Sequence, residues 1–254
     1  MKIQILQSEL IWEDPKANLL AFERLLATLT PADLILLPEM FTTGFSMQPK
    51  IYADRNGDTL SWMKDRAAQH NKALCGSVMV EEEGRFVNRL YFVKPDGSHV
   101  QYDKRHLFTM GKEPEHYSAG TERVLVEYKG WKILPLICYD LRFPVFSRND
   151  MDYDALIYVA NWPEKRSHHW SKLLEARAIE NQAYVAGCNR VGRDGTGIDY
   201  SGDSAIIDFK GDRMNDLHQE TGVLEAVWSK EALQEARSKF PVLADRDTFS
   251  ADWK

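Results

Sequence analysis

Cysteine is scarce in this chain: Cys75, Cys138 and Cys188 are the three among 254 residues, and no two lie close together. An odd count without close pairs fits reduced thiols in a cytoplasmic protein better than a disulfide framework. Metal-binding patterns are missing too. There is no CxxC and no HExxH, and neighbouring side chains diverge on a helix, so His168 and His169 do not suit a shared ion and no metal is expected. No apolar run approaches the length of a membrane span, and the N-terminus lacks the basic start and continuous apolar stretch of a signal peptide. Positive charge is not in excess. A formal net charge of -6 argues against nucleic acid or an anionic membrane as partner.

What is present is the composition of an ordinary globular domain, 44% hydrophobic and 28% charged, in a chain long enough to bury a sizeable core. Residues 1–7 alternate apolar and polar at the strand period. The spacing of Leu19, Leu20, Phe22, Leu25, Leu26 and Leu29 predicts a helix over 16–29, with Asp14 as its cap and Pro15 in its first turn. Leu34-Ile35-Leu36-Leu37 reads as a strand covered on both faces, and it runs into Pro38-Glu39. Further on, 59–70 reads as a helix, 73–80 and 86–93 as a hairpin, and 105–120 as a polar irregular stretch. The second half predicts a strand over 155–160, a helix over 168–182, a strand over 184–189, a Gly- and Asp-rich loop over 192–202, strands over 205–209 and 222–228, and a helix over 229–239. No linker, composition shift or short repeat divides the chain. One layered α/β domain over 1–254 follows, with 241–254 a tail that offers Phe249 and Trp253 for docking.

The stretch around which the chemistry gathers is Trp131-Lys132-Ile133-Leu134-Pro135-Leu136-Ile137-Cys138-Tyr139-Asp140-Leu141-Arg142-Phe143-Pro144. An apolar strand pattern stops at a thiol, where an α/β protein can hold a nucleophile at the mouth of a pocket. For an arbitrary cysteine, plain burial is the better reading. Two further reactive groups end other elements: Glu39 after the strand at 34–37, and Lys104 after a short segment ending Tyr102-Asp103. Their types are complementary. A carboxylate in a dry pocket can take a thiol proton, and an ammonium can stabilise an oxyanion or protonate a leaving amine.

The wording around these residues resembles the nitrilase superfamily of carbon–nitrogen hydrolases. The matching stretches are Leu36-Leu37-Pro38-Glu39 with Phe41 following, Tyr102-Asp103-Lys104-Arg105-His106-Leu107-Phe108, and Ile137-Cys138-Tyr139-Asp140-Leu141-Arg142-Phe143-Pro144. Ala176-Arg177-Ala178-Ile179-Glu180-Asn181-Gln182 and Gly202-Asp203-Ser204 add to it. The resemblance implies a four-layer αββα sandwich that pairs into a homodimer, and a cofactor-free Glu-Lys-Cys triad on Glu39, Lys104 and Cys138. Tyr139 would lend its backbone N–H to the oxyanion, and Glu113 is favoured over Glu115 as an auxiliary acid near the lysine. Pro38-Glu39-Met40-Phe41-Thr42-Thr43-Gly44-Phe45 and Tyr158-Val159-Ala160-Asn161-Trp162-Pro163 look most like the bacterial ω-amidase branch, which hydrolyses short dicarboxylic monoamides such as 2-oxoglutaramate. Such a substrate asks for a cation against its distal carboxylate. Arg142 is the first candidate, with Lys165 and Arg166 as others, and Phe45, Trp162 and Glu115 complete the expected lining.

Plainer readings stand beside these. Arg142 could be an ion-pair partner of Asp140 or Glu115, Glu115 a solvated loop acid, and Phe45 and Trp162 ordinary core. Two rival functions compete: a Cys-His hydrolase with His106 or His116 as base, and a non-catalytic scaffold.

Overall fold

The computed structural model describes residues 1–250; Trp253 lies outside the described residues. The first half comprises β1 (Lys2–Gln7), α1 (Pro15–Leu26), β2 (Leu34–Leu36), α2 (Pro49–Tyr52), α3 (Asp58–His70), β3 (Ala73–Glu82), β4 (Arg85–Val93) and β5 (His99–Asp103). The second comprises β6 (Val126–Tyr128), β7 (Trp131–Ile137), α4 (Pro144–Ser147), β8 (Ala155–Ala160), α5 (Ser167–Asn181), β9 (Tyr184–Asn189), β10 (Val191–Arg193), β11 (Asp199–Ser201), β12 (Ser204–Ile207), β13 (Arg213–Leu217), β14 (Gly222–Val227) and α6 (Lys230–Lys239).

Local chemistry accounts for the boundaries. Asp14 caps α1 by accepting the Ala17 N–H at 3.0 Å, Pro15 opens the helix, and Ser229 caps α6 in the same way. The β3–β4 turn places Glu83 and Gly84 at φ 52 and 75, both left-handed, which suits the twist of a tight hairpin. The expected loop over 192–202 is instead the β10–β11 hairpin, closed by Asp194, which accepts the N–H groups of Thr196 and Ile198. Strand β13 also departs from expectation. Its polar residues pair with β12 at a sheet edge, where no apolar pattern is required.

Two mixed six-stranded sheets form, ordered β14-β1-β2-β3-β4-β5 and β13-β12-β9-β8-β7-β6. Reading from β14 and from β6, both run antiparallel, parallel, parallel, antiparallel, antiparallel. The period-2 alternation separates two cores. Ile3, Ile5, Leu34, Leu36 and Cys75 face the second sheet, while Leu6, Ile35, Leu37 and Leu74 meet Phe22, Leu26, Met63 and Ala67 of α1 and α3. Trp170, Leu174 and Ala178 of α5 cover the second sheet. The result is the expected αββα layering, and the parallel strands β2 and β7 deliver Glu39 and Cys138 to one rim. No helix among the described residues is long and apolar enough to cross a membrane.

Candidate active site

Glu39 follows β2 on a turn pressed against β3. Met40 there has φ 42, Met40 N–H donates to Ser77 Oγ at 2.9 Å, and Phe41 N–H donates to the Ser77 carbonyl at 3.0 Å. Gly76 permits the approach, since a Cβ there would meet Leu37 Cβ at 2.9 Å and Phe41 Cδ1 at 3.0 Å. The Glu39 carboxylate is fully buried and accepts three hydrogen bonds. Oε1 accepts from Asn88 Nδ2 and Lys104 Nζ, each at 2.8 Å, and Oε2 accepts the Asn161 N–H at 2.8 Å.

Lys104 leaves β5 with its N–H on the Asn88 carbonyl, and the loop after it returns so closely that a Cβ on Gly120 would lie 2.2 Å from the Asp103 carbonyl oxygen. Its ammonium also donates to both oxygens of Glu113, at 3.0 and 2.9 Å, and lies 5.0 Å from the centre of the Phe45 ring. Glu113 is fixed in turn by the Phe108 N–H at 2.6 Å. Burial pulls the Lys104 pKa down, but Glu113 and Glu39 outweigh it and hold the ammonium charged. Burial raises the pKa of Glu113, with Lys104 opposing and Glu39 adding to the rise.

Cys138 begins a tight turn after β7 with φ 43, a left-handed conformation that costs a residue bearing Cβ about 1–2 kcal/mol. Such strain persists where the surroundings dictate it. Burial, followed by the Glu39 charge, raises the thiol pKa well above 9.0, with Lys104 opposing. The resting group is therefore a thiol, under the influence of a neighbouring carboxylate.

Of these groups Lys104 and Cys138 line a cavity of about 590 Å3, with Phe45, Tyr139, Arg142, Trp162 and Arg166 in its walls. Arg142 lies 4.9 Å from the centre of the Trp162 ring, and its Nη2 is 2.8 Å from His169 Nδ1. Among the described residues no carboxylate pairs with Arg142 or Arg166; burial, and then the like charge of Arg166, lower the Arg142 pKa. Asp140 is not its partner, since both its oxygens are taken by Tyr102, Ile137 and His106. Glu115 is exposed and does not line the cavity, and Lys165 is also exposed and outside it. His106 is turned onto Asp140 and stacked on Phe143 at 3.8 Å, and His116 is exposed. Cys75 and Cys188 are buried within strands. Among the described residues no cluster of His, Cys, Asp or Glu suits a metal ion.

Three polar residues are given no role in the site by the sequence reading: Asn88, Asn161 and Asp140. Asn161 ends β8 as Glu39 ends β2, and its Nδ2 donates to the Glu39 carbonyl at 2.6 Å. A polar residue closing an apolar strand was the available signal there; Asn88 offers only an amide in the middle of one.

Two mixed sheets between helices, with an acid, an ammonium and a thiol buried together at one rim, define an α/β sandwich of the nitrilase type. The chain belongs to the carbon–nitrogen hydrolase family, whose model, described as "Carbon-nitrogen hydrolase", matches residues 2–238. It is 53% identical over 251 residues to the omega-amidase YafV of Escherichia coli strain K12, covering 98% of each chain. It is 35% identical to the 2-oxoglutaramate amidase of Bacillus subtilis strain 168, covering 96% of each. The crystal structure of XC1258 from Xanthomonas campestris, a CN-hydrolase superfamily protein with an arsenic adduct in its active site, superposes with a TM-score of 0.97 at 44% identity, covering 99% of this chain and 98% of that one.

Proposed function

We propose that this chain is an ω-amidase, a thiol-dependent hydrolase that releases ammonia from short dicarboxylic monoamides such as 2-oxoglutaramate. The observation that carries this reading is the Lys104 ammonium held between Glu39 and Glu113 beside the Cys138 thiol, below an arginine without a carboxylate partner. Likeness to the YafV omega-amidase and the Bacillus amidase supports the substrate class.

In the proposed cycle Glu39 takes the Cys138 proton as sulfur attacks the amide carbon. The oxyanion is met by the Lys104 ammonium and the Tyr139 backbone N–H. The proton passes to the amide nitrogen, the C–N bond breaks, ammonia leaves, and a Cys138 thioester remains. Glu39 then takes a proton from water, hydroxide adds to the thioester, and collapse returns the proton to sulfur and frees the acid. Glu113 keeps Lys104 charged and aimed. Arg142, backed by Arg166, meets the distal carboxylate, with Phe45 and Trp162 as apolar walls. A Cys-His mechanism has no histidine placed for it, since His106 serves Asp140 and His116 faces solvent. A scaffold role leaves unexplained a buried charged pair beside a thiol.

We further propose that residues 1–254 make one domain with a C-terminal tail from 241, acting as a cytoplasmic homodimer. Ammonia release across 2-oxoglutaramate, 2-oxosuccinamate, N-carbamoyl amines and simple nitriles tests the substrate class. Turnover of the first two is expected; preference for a carbamoyl amine or a nitrile would overturn it.

A further inference from the structure

Two residues beyond Cys138, the fully buried Asp140 carboxylate accepts four hydrogen bonds. Oδ2 takes the Tyr102 hydroxyl at 2.7 Å and the Ile137 N–H at 3.0 Å. Oδ1 takes the His106 N–H at 3.0 Å and the His106 ring Nδ1 at 2.8 Å. The donors come from both sheets. Ile137 ends β7 and precedes Cys138, whereas Tyr102 lies in β5 and precedes Lys104 by two residues. The Tyr102 hydroxyl also accepts the Arg105 N–H at 3.1 Å, so residues on both sides of Lys104 are tied to the turn that carries the thiol. Phe143 stacked on His106 at 3.8 Å, and Phe146 edge-on at 5.0 Å, keep that ring facing the carboxylate.

We propose that Asp140 is the positioning residue of the site. It holds Cys138 in its left-handed conformation and sets the thiol against Glu39 and Lys104 without touching substrate. The inference rests on the Cys138, Glu39 and Lys104 reading above. Its chemical basis is acceptor count: four donors converge on one point, and an ionised carboxylate meets them with acceptors alone. An asparagine of the same size turns an NH2 toward donors, leaves an N–H of the turn unpaired, and frees the left-handed residue to relax.

Asp140→Asn is therefore expected to lower kcat on the preferred amide by about a hundredfold while KM stays within about threefold, because misplacement of reacting groups falls on the chemical step. Alkylation of Cys138 by iodoacetamide, followed by peptide mass, should slow by a comparable factor. Tyr102→Phe removes one of the four bonds and should slow both by roughly three- to tenfold. The kcat-against-KM split and the alkylation rate are measured per folded molecule by circular dichroism, so a merely structural role would leave both unchanged. Parental kcat and alkylation in folded Asp140→Asn would overturn the proposal; if that variant does not fold, parental values in Tyr102→Phe would do so. Cys138→Ala is assayed alongside. Turnover retained there would sink the nucleophile itself, an outcome distinct from failure at Asp140.

Discussion

One ammonium faces three carboxylate oxygens in the interior of this protein: Lys104 Nζ lies 3.0 and 2.9 Å from the two oxygens of Glu113 and 2.8 Å from Glu39 Oε1. Removing Glu113 takes away half of what compensates a buried charge. Glu113→Ala should destabilise the fold by about 3–5 kcal/mol in urea unfolding. Glu113→Gln should keep more stability yet lower kcat by about a hundredfold, as expected when an oxyanion-stabilising donor is misaimed. Glu115→Gln, exposed, should stay within about 0.5 kcal/mol and near parental kcat. Parental kcat in Glu113→Gln would remove Glu113 from the machinery.

The thiol offers a pH test. Burial and the Glu39 charge raise the Cys138 pKa well above its ordinary 9.0. For a raised pKa, the stability tied to the protonated form is present below pH 9 and is lost as pH climbs through the folded value. Ultraviolet difference spectra between the parent and Cys138→Ser should therefore show no thiolate step between pH 5 and 9. A Cys-His ion pair would give a step below pH 7, and His106→Ala would then abolish turnover instead of lowering it by less than about tenfold.

Arg142 carries the specificity prediction. Arg142→Ala should raise KM for dicarboxylic monoamides by about 10- to 150-fold, the value of one charge-assisted bond, with a smaller change in kcat. An uncharged amide of similar size should lose little. Equal losses on both would place the carboxylate elsewhere.

Cys75 and Cys188 serve as controls. Cys188 Sγ lies 3.7 Å from the carbonyls of Leu6 and Leu36, between the sheets. Cys188→Ser and Cys75→Ser should lower the unfolding midpoint through changed packing and polarity, with kcat of the folded fraction unchanged. Abolished turnover in a folded Cys188→Ser would contradict this.

Much of the fold was legible because its central strands are apolar on both faces and α1 and α6 carry side-chain caps. The strands at 34–37 and 184–189 and the Asp14 cap lie where pattern and chemistry agree. Elements with little core to satisfy were not legible. The β10–β11 hairpin is built of three-residue strands around an Asp194 turn, and β13 is a polar edge. The site divides likewise. Glu39, Lys104 and Cys138 end strands and carry recognisable wording. Asn88 and Asn161 bind Glu39 or Glu113 from 25 to 122 residues away, Asp140 binds Tyr102 and His106 besides its neighbour Ile137, and no local pattern records a cross-sheet bond. Arg142 was open between an ion pair and a substrate cation, and the distribution of hydrogen bonds on Asp140 removes the first choice there.

The nucleophile is the centre of the proposed chemistry, and ammonia release by purified Cys138→Ala tests it most directly. With 2-oxoglutaramate as substrate, its kcat should fall by at least about ten-thousandfold while circular dichroism and unfolding midpoint stay near parental, as for nucleophile deletions elsewhere. A folded Cys138→Ala that releases ammonia within tenfold of the parent would contradict the thioester mechanism outright.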